Sequence, residues 1–96
     1  MTVEEFEKSG DEPAGLTPPL RALWNEARGD WEAAHRIAQE DDSPDAAWVH
    51  AYLHRKEGDI SNARYWYARA GRTALRGSFE EEWRDIVSKL LTSKPS

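Results

Sequence analysis

The chain has no cysteine. That removes disulfides, thiolate metal ligands and cysteine nucleophiles together. It also lacks a long hydrophobic run. Mean hydropathy is -0.86, and no apolar stretch approaches the ~18 residues that a membrane span needs. Positive charge is in deficit, with 13 Lys and Arg against 18 Asp and Glu for a formal net charge of -5. Such a balance argues against double-stranded nucleic acid as a partner. Gly10, Gly15 and Gly29 do not have the spacing of a phosphate-binding fingerprint. Ser43, Ser61 and Ser78 read as caps or helix surface, and no Ser/His/Asp arrangement stands out. No segment alternates in the manner of a strand. No basic-then-apolar leader opens the chain, so the expectation is a cytoplasmic protein with no membrane partner.

Aromatic residues are plentiful: 5 Trp, 3 Tyr and 2 Phe in 96 residues. This composition predicts a well-specified aromatic core in a single domain. Residues 1–15 read as a flexible acidic segment broken by Pro13 and Gly15, in which Val3 and Phe6 can anchor a short helical turn on the body. Residues 16–92 read as one α-helical domain, and 93–96 as a polar tail.

Five helices are expected in that domain. Thr17 caps the first, with Pro18 at its first position, where a missing N–H costs nothing. Its stripe is Leu20, Leu23, Trp24 and Ala27, and Gly29 ends it. Asp30 caps the second, with Trp31, Ala34, Ile37 and Ala38 inward and Ala33 on the outer face. Ser43 and Pro44 open the third, whose inner face is Ala46, Val49, His50 and Leu53. On its other side lie Trp48 and Tyr52, either covered by the first or fifth helix or left as a contact patch. Asp59 caps the fourth, with Ile60, Ala63, Trp66, Tyr67 and Ala70 as its stripe; Gly71 ends it unless the pattern continues to Gly77. Ser78 and Glu81 make a capping box for the fifth, with Phe79, Trp83, Ile86, Val87 and Leu90 inward.

Gly29-Asp30 and Gly58-Asp59 are 29 positions apart, and their surroundings align: Leu20 with Val49, Leu23 with Tyr52, Ala34 with Ala63, Ile37 with Trp66. Each unit is helix, Gly-Asp turn, helix. The stretch from Gly58 to Ala63, followed by Tyr67 and Ala70, resembles the second half of a tetratricopeptide or Sel1-like repeat. That resemblance implies antiparallel helix pairs that bind proteins or peptides. The departures are a spacing of 29 where 34 is usual, and His50 and His54 where the family prefers Leu and Tyr. The run from Trp48 to Arg72, with Trp24 and Gly29 to His35 before it, is also similar to a set of small bacterial helical proteins with no assigned activity. The fold expected is therefore all-α: a compact bundle of about five helices containing one tetratricopeptide/Sel1-like helix-turn-helix repeat.

Two groups of residues carry chemistry. His50, His54 and Glu57 fall at i, i+4 and i+7, within about 60° of one helix circumference. Two imidazoles one turn apart chelate divalent metals, and His35 on the neighbouring helix is a further candidate. Ala51 stands where the H-E-x-x-H zincin pattern has its Glu, which disfavours a zinc hydrolase. The plainer alternative is half-buried histidines hydrogen-bonded to backbone, Glu57 or Gln39. The second group is Asn62, Tyr65, Arg69 and Arg72, with Arg76 if the helix continues. Arg beside Tyr suits an anion or an acidic peptide; the alternative is intramolecular pairing with the acidic segments 4–12 and 40–45. Function is left between an interaction module with a protein or peptide partner and a metal- or small-ligand-binding protein, with enzymatic activity, cofactor and self-association open.

Overall fold

Six helices, with no strand between them, make up the described residues, 1–73 and 77–92, of a computed structural model. They are α1 (Val3–Lys8), α2 (Pro18–Ala27), α3 (Trp31–Gln39), α4 (Pro44–Glu57), α5 (Ile60–Ala70) and α6 (Phe79–Thr92). The last five are those expected, and α1 is the short turn that Val3 and Phe6 made possible. No helix among the described residues is long and apolar enough to cross a membrane. The radius of gyration is 12.2 Å, close to the ~12.5 Å of a compact chain of this length. The proposed tail at 93–96 and the possible extension through Arg76 lie outside the described residues.

Local chemistry sets the helix ends. The Ser43 hydroxyl accepts from the Ala46 N–H, and Ser78 and Glu81 exchange both bonds of a capping box at 3.0 Å each. Thr17 occupies the N-cap of α2 without a side-chain bond, so Pro18 and the backbone start that helix. Gly71, left-handed at φ 69°, ends α5.

The two Gly-Asp turns are built alike. Gly29 and Gly58 adopt φ 86° and 91°, a region that L side chains enter only with strain. In the first turn the Asp30 N–H returns to the Asn25 carbonyl at 3.0 Å; in the second the Asp59 N–H returns to the His54 carbonyl at 2.9 Å. Each Asp carboxylate then caps the following helix. Two helical hairpins, α2–α3 and α4–α5, result at an offset of 29 residues.

The central element is α4, buried continuously from Ala46 to Leu53. Trp48 and Tyr52 are covered: Lys89 of α6 lies over the Trp48 ring, and the Tyr52 hydroxyl reaches Glu26 of α2. On the far side α1 lays fully buried Phe6 against Trp83, with ring centroids 5.8 Å apart, and Arg84 clamps Glu4 and Glu7. Four stripe assignments are corrected. Ala27 is exposed, not inward. Ala33 is buried, not outward. Ile60 and Phe79 are exposed, because each stands at the first position of its helix, where the chain still turns away from the core.

Candidate metal centre

A helix buried on every side must place its polar residues inside too, and α4 does so with His50 and His54. The α3–α4 contact brings His35 to them. The Nε2 atoms of His35 and His50 are 3.0 Å apart. One nitrogen from each of His35, His50 and His54 can be chosen so that all three lie within 4.8 Å of one another. A tetrahedral zinc at about 2.0–2.1 Å from each nitrogen needs them roughly 3.3 Å apart, so closure on an ion takes side-chain motion of about an ångström.

The rings are held by aromatic neighbours. Trp66 stacks on His50 with centroids 4.0 Å apart, Trp31 stacks on His35 at 4.9 Å, and His50 stacks on His54 at 4.8 Å. The Trp31 indole is itself fixed by donating to the Leu53 carbonyl at 3.3 Å. His50 is buried, His35 is half-buried, and the His54 side chain keeps 11% of its surface. The cluster therefore reaches solvent through His35 and His54.

Glu57 does not join the three nitrogens. Its Oε1 lies 2.8 Å from Nδ1 of His54, which leaves Nε2 as the nitrogen able to bind an ion. A carboxylate behind a histidine fixes tautomer and ring orientation and raises ligand basicity. Glu57 thus stands behind His54, outside the group that the three nitrogens form. His54, Glu57 and Asp59 also converge, but the Asp59 carboxylate is already committed to the Asn62 backbone and side chain at the start of α5. Among the described residues, neither Gln39 nor a backbone group hydrogen-bonds to any of the three rings; their partners are one another and Glu57.

Burial, and then the neighbouring imidazoles His35 and His54, push the His50 pKa down to about 4. Burial, then the charge of His54, also lowers that of His35, with Glu57 pulling the other way. Both are therefore neutral at pH 7, the state in which imidazole donates a lone pair to a metal.

The second candidate group is divided by the fold. The Asn62 amide donates to Asp59 at 2.7 Å and belongs to the helix cap. Tyr65 and Arg69 meet, the guanidinium donating to the phenol oxygen at 3.3 Å, and Arg69 lies over the Trp66 ring at 5.3 Å. Arg72 stacks separately on Trp48 at 4.0 Å. Among the described residues neither arginine pairs with a carboxylate. Of the acidic residues proposed as their partners, Glu4 and Glu7 pair with Arg84 and Glu12 with Arg21.

The sequence reading missed two buried carboxylates, Glu26 and Glu82. Glu26 accepts from the Tyr52 hydroxyl at 3.2 Å and from Lys56; Glu82 accepts from Arg55 at 2.6 Å and from the Tyr67 hydroxyl. The available signal was adjacency: each Glu neighbours a stripe residue, and α4 carries Tyr52, Arg55 and Lys56 on the side away from its histidines. No family model, curated protein or solved structure matches the chain.

Proposed function

We propose that this protein binds a divalent transition metal through His35, His50 and His54, with Glu57 orienting His54. The observation that carries the reading is the convergence of three imidazole nitrogens within 4.8 Å. Three neutral nitrogen donors suit zinc, copper(II) or nickel, and leave a coordination position for water or a ligand. The Trp31 and Trp66 walls support it, because a metal site works best when its ligands are held in place beforehand.

Zinc titration at pH 7, followed by thermal unfolding, tests it. Zinc at a hundred times its Kd stabilises the native state by about 2.7 kcal/mol. His35→Gln and His54→Ala should each abolish that shift. A shift retained in both variants would mean that zinc binds elsewhere on the surface.

A second reading is an interaction module for anionic groups at α5 and the residues just after it, favoured by Arg69 and Arg72, which stack on aromatic rings and pair with no carboxylate among the described residues. An acidic peptide should then bind the wild type and lose affinity in Arg69→Ala/Arg72→Ala, with zinc binding unchanged.

A further inference from the structure

A cavity of about 190 Å³ lies where α1, α2, α4 and α6 meet, on the side of α4 away from the histidines. Glu7, Glu26 and Glu80 line it, against the single cation Lys56. The rest of its wall is largely aromatic, from Tyr52, Phe79 and Trp83. The nearby guanidinium of Arg55, 4.8 Å over the Phe79 ring, is already paired with Glu82.

Glu26 is the informative residue. Its side chain is 3% exposed. Among the described residues both of its hydrogen bonds, from the Tyr52 hydroxyl and from Lys56, go to Oε1 and none to Oε2. A buried carboxylate oxygen left unpaired is costly. Yet Oε2 is not among the polar atoms sealed from solvent without a partner, a condition met among the described residues by Trp24 Nε1. Oε2 therefore touches accessible space, and the cavity is the space that Glu26 lines. The indole of Trp83 is fixed by its bond to the Leu23 carbonyl at 3.1 Å, so this wall is preformed.

A carboxylate with a free acceptor beside aromatic faces recognises an ammonium group, by ion pairing and by attraction to the ring quadrupoles. We propose that the cavity binds a short aliphatic amine, its ammonium on Glu26 and its chain against Tyr52, Phe79 and Trp83. Glu7 is already paired with Arg84 and Glu26 with Lys56, so among the described residues Glu80 is the lining carboxylate left without a cation, and a second ammonium that can meet it favours a diamine over a monoamine. The volume lies below the ~300 Å³ at which drug-sized pockets begin, which limits the ligand to a few carbons. Lys56, its side chain 41% exposed on a flexible stem, is a tethered occupant of the same carboxylate and competes with the incoming amine.

Calorimetric titration with 1,4-diaminobutane tests the proposal, with butanoate as a control of similar length and opposite charge. The diamine should bind the wild type and butanoate should not. Glu26→Gln, which keeps the shape and an acceptor for Tyr52, should weaken the diamine at least tenfold. Lys56→Met, which removes the tethered competitor and stays folded whatever the fate of the Glu26 variant, should tighten it several-fold. His35→Gln should leave it unchanged, which separates this site from the metal centre. No diamine binding to either the wild type or Lys56→Met would overturn the proposal, as would undiminished binding to Glu26→Gln or equal binding of butanoate.

Discussion

Helix α4 faces two buried polar clusters that solve the same electrostatic problem in opposite ways. His50 and His54 lie on one side; Tyr52 and Lys56 lie about 160° round the helix. Burial penalises charge, so a titratable group inside a protein either gives up its charge or finds a counter-charge. On the histidine side the first course is taken: His50 is pushed down to about 4 by burial and by the neighbouring imidazoles. On the glutamate side the second is taken: Glu82 is held by Arg55 and Tyr67, Glu26 by Lys56 and Tyr52. Burial, reinforced by the adjacent carboxylates, raises both phenol pKa values, so each tyrosine remains a hydrogen-bond donor. The contrast is one of charge: the imidazoles keep neutral lone pairs, while the paired charges join helices to one another.

The harshest way to break the comparison is to remove a counter-charge. Arg55→Met leaves Glu82, a residue 1% exposed, with only Tyr67 beside it. Loss of one partner of a buried ion pair costs about 3–5 kcal/mol, and urea unfolding should show a loss of that order. Lys56→Met is the milder counterpart. Lys56 is well exposed and Tyr52 still serves Glu26, so a loss below about 1 kcal/mol is expected. Equal losses in the two variants would show that both glutamates depend on their cations alike.

The histidine side breaks with acid. The unfolded His50 takes up its proton below about 6.5, whereas the folded one does so only near 4. Between those values the unfolded state binds more protons, so stability falls as pH falls. The full effect for His50 is about 3 kcal/mol, reached near pH 4, and His35 adds in the same direction. Chemical unfolding across pH 7 to 4 should show this slope in the wild type and a shallower one in His50→Gln. The variant comparison cancels surface carboxylates such as Glu81 and Asp59, whose own lowered values bring losses at the acid end. Parallel profiles would refute the view that His50 is buried in its neutral form.

These two clusters also mark how far the sequence was legible. Caps, Gly stops and 3.6-residue stripes all pointed to the same helices, and every helix from α2 to α6 appears where they placed it. The histidines were legible because i, i+4 spacing is local to one helix. Joining His35 to them required only that α3 and α4 be neighbours. Glu57 was found by the same spacing, although spacing gives proximity and not which nitrogen of His54 the carboxylate meets. Asn62 was grouped with Tyr65 and Arg69 by helix face, yet capping at Asp59 claims it. Glu26 and Glu82 were invisible for a different reason. Their partners Lys56 and Arg55 are 30 and 27 residues away, and nothing local distinguishes a glutamate that will be buried from one on the surface. The neighbouring Ala27, expected inside, is exposed.

The smallest effect on folding is expected from the residue that separates orientation from ligation, Glu57. Its side chain is 40% exposed and its bond to His54 spans three residues of one helix. An exposed pair of this kind contributes less than about 1 kcal/mol, so Glu57→Gln should unfold almost as the wild type does in the absence of metal. Its effect on metal affinity should be much larger. Replacing the carboxylate behind a ligating histidine typically weakens the metal by 10–100-fold, because the ring loses its orientation and Nε2 loses basicity. His54→Ala removes the ligand itself and should lose the ion altogether. The ordering of zinc affinity, wild type above Glu57→Gln above His54→Ala, therefore distinguishes an orienting carboxylate from a bystander, which would leave the first two equal. It also distinguishes it from a direct ligand, which would bring Glu57→Gln down to the level of His54→Ala.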